Sequence, residues 1–141
     1  MEHSWKWIAG VLLLLAGCSK PAAAPPSAPA EPEALSRTEF TTRVENYFEY
    51  EPLRSGKASQ VRIHLTDLSD GSPVEKADVT LSVRPTGSAD PVVQAASRIG
   101  KVTGIYVAEL TAPKPGEYDI EFHIKNDKLD ERMPLSNFKV E

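Results

Sequence analysis

The sequence has one cysteine, little aromatic content and no surplus of positive charge. A single cysteine excludes an intramolecular disulfide and any cysteine-rich zinc site. Sixteen basic against 20 acidic side chains give a formal charge of −4 and remove the basic stripe that marks an electrostatic nucleic-acid binder. Aromatic residues at 7%, together with 12 prolines, point away from a large helical bundle. The longest apolar run, Ile8 to Leu15, is too short for a bilayer, which needs about 20 residues. Catalytic signatures are missing as well. The chain contains no Gly-x-Ser-x-Gly, no His-Glu-x-x-His, no phosphate loop and no cysteine placed as a nucleophile, so it reads as non-enzymatic, with no cofactor implied.

The short apolar run sits where a signal-peptide core belongs. It leads into Leu15-Ala16-Gly17-Cys18, which resembles a bacterial lipoprotein signal. The resemblance implies that 1–17 is a signal peptide, that cleavage falls before Cys18, and that lipid is attached at Cys18. Acyl chains on that residue would be the partner contact with the membrane, since two or more give stable anchoring. Ser19 after the cysteine favours the outer membrane, with the protein facing the periplasm.

Residues 18–37 then read as a linker. Ten of the 13 residues from Pro21 to Glu33 are proline or alanine, and none is a large apolar side chain. Such a stretch cannot offset its ordering entropy by burial. Proline makes it a semi-rigid spacer reaching roughly 40 Å at about 3.1 Å per residue.

Beyond the linker, apolar residues recur every second position. Val61, Ile63 and Leu65 alternate with Arg62, His64 and Thr66; Val79, Leu81 and Val83 alternate with Thr80, Ser82 and Arg84. Tyr118, Ile120, Phe122 and Ile124 alternate with Asp119, Glu121, His123 and Lys125. Val44 to Tyr50, Val92 to Ala96, Ile105 to Leu110 and the Phe138/Val140 pair supply further strands. Asp70-Gly71-Ser72-Pro73 and Pro113-Lys114-Pro115-Gly116 mark turns. About seven short strands in roughly 100 residues predict an all-β fold: one Ig-like antiparallel β-sandwich over 38–141.

Three stretches carry a closer likeness: Asn46 to Leu53 followed by His64-Leu65-Thr66-Asp67-Leu68; Pro73-Val74-Glu75-Lys76-Ala77-Asp78-Val79; and Gly104-Ile105-Tyr106 leading to Pro115-Gly116-Glu117-Tyr118. In this order they resemble the N-terminal Ig-like module of periplasmic adaptors of heavy-metal RND efflux pumps, and the related YtkA-like domains. The likeness covers 40–141. The barrel, lipoyl-like domain and helical hairpin of such adaptors have no counterpart before the last residue, Glu141. The resemblance therefore implies an accessory module with efflux-pump components as partners, or the remnant of a truncated adaptor. Copper and silver adaptors can carry methionine-rich sites, whereas Met133 is the one methionine beyond the signal.

A metal-carrier reading would rest on His64, His123 and Met133. Each histidine occupies a polar position of an alternating strand, where a solvated side chain is the ordinary outcome. Asp67-Leu68-Ser69-Asp70-Gly71 superficially resembles a calcium loop, but its acids lack EF-hand spacing and a terminal glutamate. A hairpin loop is expected there.

Overall fold

The computed structural model describes residues 21–141. Residues 21–34 form no regular element and are exposed. Ten strands follow: β1 (Leu35–Phe40), β2 (Val44–Tyr50), β3 (Ser59–Asp67), β4 (Ser72–Pro73), β5 (Asp78–Pro85), β6 (Val93–Ala96), β7 (Arg98–Ile99), β8 (Ile105–Leu110), β9 (Gly116–Lys125) and β10 (Asp130–Val140). They build two antiparallel sheets. One has six strands in the order β1-β2-β3-β8-β7 with β4 paired to β3; the other has four in the order β10-β9-β5-β6. The fold is an all-β, Ig-like sandwich. The compact unit 31–141 holds every one of these strands and every buried residue among the described residues.

The seven expected strands are all present, and β1, β4 and β7 join them. β4 and β7 are two residues each, too short for a period to register. β1 begins at Leu35, ahead of the expected domain start at 38. Its register against β2 places Leu35 opposite Tyr50, Arg37 opposite Phe48 and Glu39 opposite Asn46, so two of its three inward positions are charged. An edge strand lying over the open side of a sandwich needs no apolar alternation, and the period-two signal vanishes there.

Alternation decides the core. Val61, Ile63 and Leu65 on β3, Val79, Leu81 and Val83 on β5, and Tyr118, Ile120, Phe122 and Ile124 on β9 are all buried. Between the sheets, Phe48 of β2 meets Phe122 of β9 with ring centroids 4.8 Å apart and Phe138 of β10 at 6.3 Å. Such tilted aromatic pairs add to the area each ring removes from water. Without a disulfide, this layer is the chief source of stability.

The stretches that carried the family likeness are structural devices. The Tyr106 hydroxyl donates to the Val74 carbonyl at 2.7 Å and accepts from the Ala77 N–H at 3.0 Å, which fixes residues 74–77 against β8. Within that segment Lys76 is held at φ 50°, a left-handed conformation uncommon outside glycine. Burial pushes the Tyr106 phenol above its ordinary range, outweighing the Ala77 bond that acts the other way. Gly104 is required by its position: φ is 81°, and a Cβ there would stand 2.6 Å from the Pro73 Cβ. At the opposite corner, the Tyr118 hydroxyl donates to the Lys114 carbonyl at 2.8 Å. Leu53 is buried and its carbonyl accepts from the Glu141 N–H at 3.0 Å, so the stretch after β2 docks onto the chain end.

Candidate interaction site

Cys18, the expected lipidation site, lies outside the described residues. Among those residues no helix is long and apolar enough to cross a membrane.

The structure does not bring His64, His123 and Met133 together. Strand alternation puts His64 on the outward face of the six-stranded sheet and His123 on the outward face of the four-stranded sheet. Met133 is buried between them. Each has its own local partner. The His64 ring meets Tyr47 edge-on, with centroids 5.3 Å apart at 62°, and its Nε2 lies 3.8 Å from Glu49 Oε2. That nitrogen is shielded from solvent and has no hydrogen-bond partner. His123 Nε2 is 2.7 Å from Asp130 Oδ1, and Lys125 Nζ is 3.3 Å from the other oxygen. These two contacts, the histidine's first, hold the Asp130 carboxyl below the usual carboxylate range. Met133 Sδ accepts from Asn46 Nδ2 at 3.7 Å. No group of three or more His, Cys, Asp or Glu side chains that could hold a metal ion gathers among the described residues.

The expected hairpin loop after β3 borders a cleft of about 440 Å³ at one end of the sandwich, with residues 74–76 and 126–129 on its other side. Its carboxylates are occupied in shaping the turn. Asp67 Oδ1 accepts from the Ser69 N–H and hydroxyl at 2.9 and 2.6 Å, and Asp70 Oδ1 accepts from Ser72 with the same two distances. These serine bonds are the leading cause that lowers both carboxyls below their ordinary value. Gly71, at φ 74°, completes the reversal. Asn126 pins the facing wall, accepting from the Lys128 and Leu129 N–H groups at 2.8 Å and donating to the Glu75 carbonyl at 2.9 Å. Asp67 and Asp70 are therefore turn-formers.

The two outward sheet faces differ in chemistry. On the four-stranded sheet, central strands β5 and β9 present Thr80, Ser82 and Arg84 beside Asp119, Glu121 and His123. Several of these are tied down locally, as in Thr86–Asp119 at 3.1 Å and Arg132–Glu121 at 2.8 Å. On the six-stranded sheet the register aligns Thr38, Tyr47, His64 and Ile105 in one row across four strands. Val107 lies in the next row beside Arg62, and Phe40, 61% exposed, flanks the first on β1. Aromatic and aliphatic groups therefore sit among Glu45, Glu49 and Arg62 on a single face. Apolar cores with polar surroundings are the composition of protein contact surfaces.

Two features escaped sequence reasoning. Asn46 is fully buried at an inward position between Val44 and Phe48, and its Oδ1 has no hydrogen-bond partner. An asparagine interrupting an apolar alternation was the available signal. Arg37 left none: it bonds Glu39 at 2.6 Å, reaches the Ser136 carbonyl at 2.8 Å and lies 4.8 Å over the Phe138 ring, closing the gap between edge strands β1 and β10.

Compared with protein-family models, curated proteins and solved structures, the chain matches none.

Proposed function

We propose that this protein is a lipid-anchored, non-enzymatic binding module of the bacterial envelope. Cys18 anchors it to the outer membrane, the Pro/Ala segment spaces it into the periplasm, and the outward face of the six-stranded sheet docks a protein component of a heavy-metal efflux assembly. The observation that carries the docking role is the unequal surface of the sandwich. The row Tyr47–His64–Ile105, with Val107 and Phe40 beside it, places rigid aromatic and aliphatic groups among charges of both signs. That mixture suits a protein surface, where aromatic anchors carry much of the contact energy and a polar rim excludes water. The efflux partner comes from the resemblance of 40–141 to adaptor N-terminal modules, and the anchor from the lipoprotein-like signal.

The separation of His64, His123 and Met133 argues for docking over a metal-carrier role. Calorimetric titration of 31–141 with Cu(I), Ag(I), Cu(II) or Zn(II) is expected to give no stoichiometric binding that depends on both histidines. Tight one-to-one binding lost in His64→Ala and in His123→Ala alike would promote the carrier instead.

The direct test is photo-cross-linking in the bacterial envelope from an unnatural amino acid at position 47, with position 80 on the opposite face as control. Adducts with an adaptor or pump subunit from 47 and not from 80 are expected. Equal adducts from both, or none from 47, would sink the docking face. Anchoring is read separately: Cys18→Ala is expected to move the protein out of the membrane fraction and to abolish its acyl mass.

A further inference from the structure

We propose that the free edge of β1 pairs with β1 of a second copy of this chain, in one antiparallel register centred on Thr38, joining two six-stranded sheets into one. This inference goes beyond the docking face and does not depend on the lipid anchor.

The sandwich has four sheet edges, and three of them are blunted. β7 is two residues and β6 four. β10 contains Pro134 and a bulge between Leu135 and Phe138, where Asn137 turns to φ 68°. Short strands, proline and bulges are the usual means by which a sheet edge avoids pairing. β1 has none of them. Its six residues, Leu-Ser-Arg-Thr-Glu-Phe, pair regularly with β2 on one side and with no strand among the described residues on the other. Two of the large apolar side chains left exposed on the molecule, Leu35 at 47% and Phe40 at 61%, stand at its two ends.

Inward-pointing charges can also protect an edge, and β1 has two, Arg37 and Glu39. Here they select a register. Directly opposed residues of an antiparallel pair must share a face, so only every second register continues both sheets. The register with Thr38 on the twofold axis sets Arg37 of one copy against Glu39 of the other, and symmetry repeats the match. Moving the centre one residue toward the N-terminus opposes Arg37 to Arg37; moving it one residue the other way opposes Glu39 to Glu39. Opposite charges across a strand pair stabilise it and like charges destabilise it. Of the three central registers, one is favoured. It also lays Phe40 of each copy opposite Ser36 of its partner on the outward face, where the ring covers backbone that is now open to water. The interface is isologous and closes at two copies, because each β1 edge is consumed by the pairing.

The unit 31–141, which holds all ten strands and the whole described core, is the material for the test. Sedimentation equilibrium is expected to give a monomer–dimer equilibrium. Glu39→Arg and Arg37→Glu should each weaken dimerisation roughly tenfold or more, since each creates two like-charged pairs. The double swap Arg37→Glu/Glu39→Arg should restore it. Thermal melts of each variant separate lost pairing from lost folding. Thr38 is exposed, so Thr38→Cys gives a probe that leaves the core alone. Opposed residues in an antiparallel pair have Cα atoms about 4.5–5.5 Å apart, within disulfide range. Mild oxidation should cross-link Thr38→Cys to itself, while Ser36→Cys and Phe40→Cys cross-link only when combined in one chain. A strictly monomeric wild type, no rescue by the swap, or equal cross-linking at 36, 38 and 40 would each overturn the proposal.

Discussion

The four-stranded sheet and the six-stranded sheet share one core yet spend their outer surfaces differently. The outer face of β5 and β9 is polar and internally paired, with Glu121 on Arg132 and His123 on Asp130. Exposed pairs of this kind contribute little to stability and keep a surface solvated. The outer face of β2, β3 and β8 holds Tyr47, His64, Ile105 and Val107 in adjoining rows, and the sheet ends in the unblunted strand β1. The close-fitting corner is on the same side, where Gly104 packs against Pro73 and Tyr106 holds residues 74–77. The buried core draws side chains from both sheets, whereas the features suited to contact with another protein gather on one. The layers themselves are generic, so the finish of a face and an edge is what sets the two halves of the sandwich apart.

Substitutions at matched positions sharpen that contrast. The largest effect is expected at Gly104. Gly104→Ala adds a Cβ 2.6 Å from Pro73 in a left-handed conformation and should lower stability by about 2–4 kcal/mol. Gly87→Ala, in the β5–β6 loop of the other sheet, has a similar φ of 84° but open space around the new atom, and should lower it by only about 1 kcal/mol. Urea midpoints of the two variants check the difference; equal losses would mean that the Pro73 contact relaxes freely.

Tyr106→Phe leaves the Val74 carbonyl and the Ala77 N–H without their partner and is expected to destabilise by about 1–3 kcal/mol. Tyr118→Phe removes one bond from a partly exposed corner and should fall below that, at about 0.5–1.5 kcal/mol. A reversed order would break the view that the six-stranded side holds the tighter latch.

Asn46→Leu acts in the opposite direction. It replaces a buried amide whose Oδ1 is unpartnered by an apolar side chain of similar size, and should raise stability by about 1 kcal/mol. A fall in the urea midpoint would show that the contact with Met133 outweighs the unpaired oxygen.

The smallest effect is the pH dependence. Asp67, Asp70 and Asp130 have folded values below 3.8, the ordinary aspartate value. A depressed carboxyl contributes stability that is present above the unfolded value and is lost as pH falls through the folded one. The share of stability that these three carboxyls carry, read from urea midpoints, should therefore be constant above pH 5 and decline below about pH 4. The triple variant Asp67→Asn/Asp70→Asn/Asp130→Asn should flatten this decline slightly, because Asp70 and Asp130 are exposed and well screened and Asp67 alone is partly covered.

Much of the architecture was legible because burial on one face imposes period two on a strand. The residues of β3, β5 and β9 that alternate in sequence are those that alternate in burial. The same physics explains what was missed. β1 buries neither face fully, so Leu35 to Phe40 carries no alternation, and β4 and β7 are too short to show one. His64, His123 and Met133 were visible as residue types, but their separation depends on which sheet each strand joins. Local spacing is silent on that, because strands sixty residues apart can be neighbours or lie back to back.

By itself, the sequence determined that the chain forms a β-sandwich and which side chains of β3, β5 and β9 enter its core, since alternation and turn chemistry act over a few residues. Tertiary structure alone decided that the histidines face apart, that Tyr47, His64 and Ile105 share one row, and that β1 is the open edge. Each of these is a relation between strands distant in the chain, set by sheet order and register.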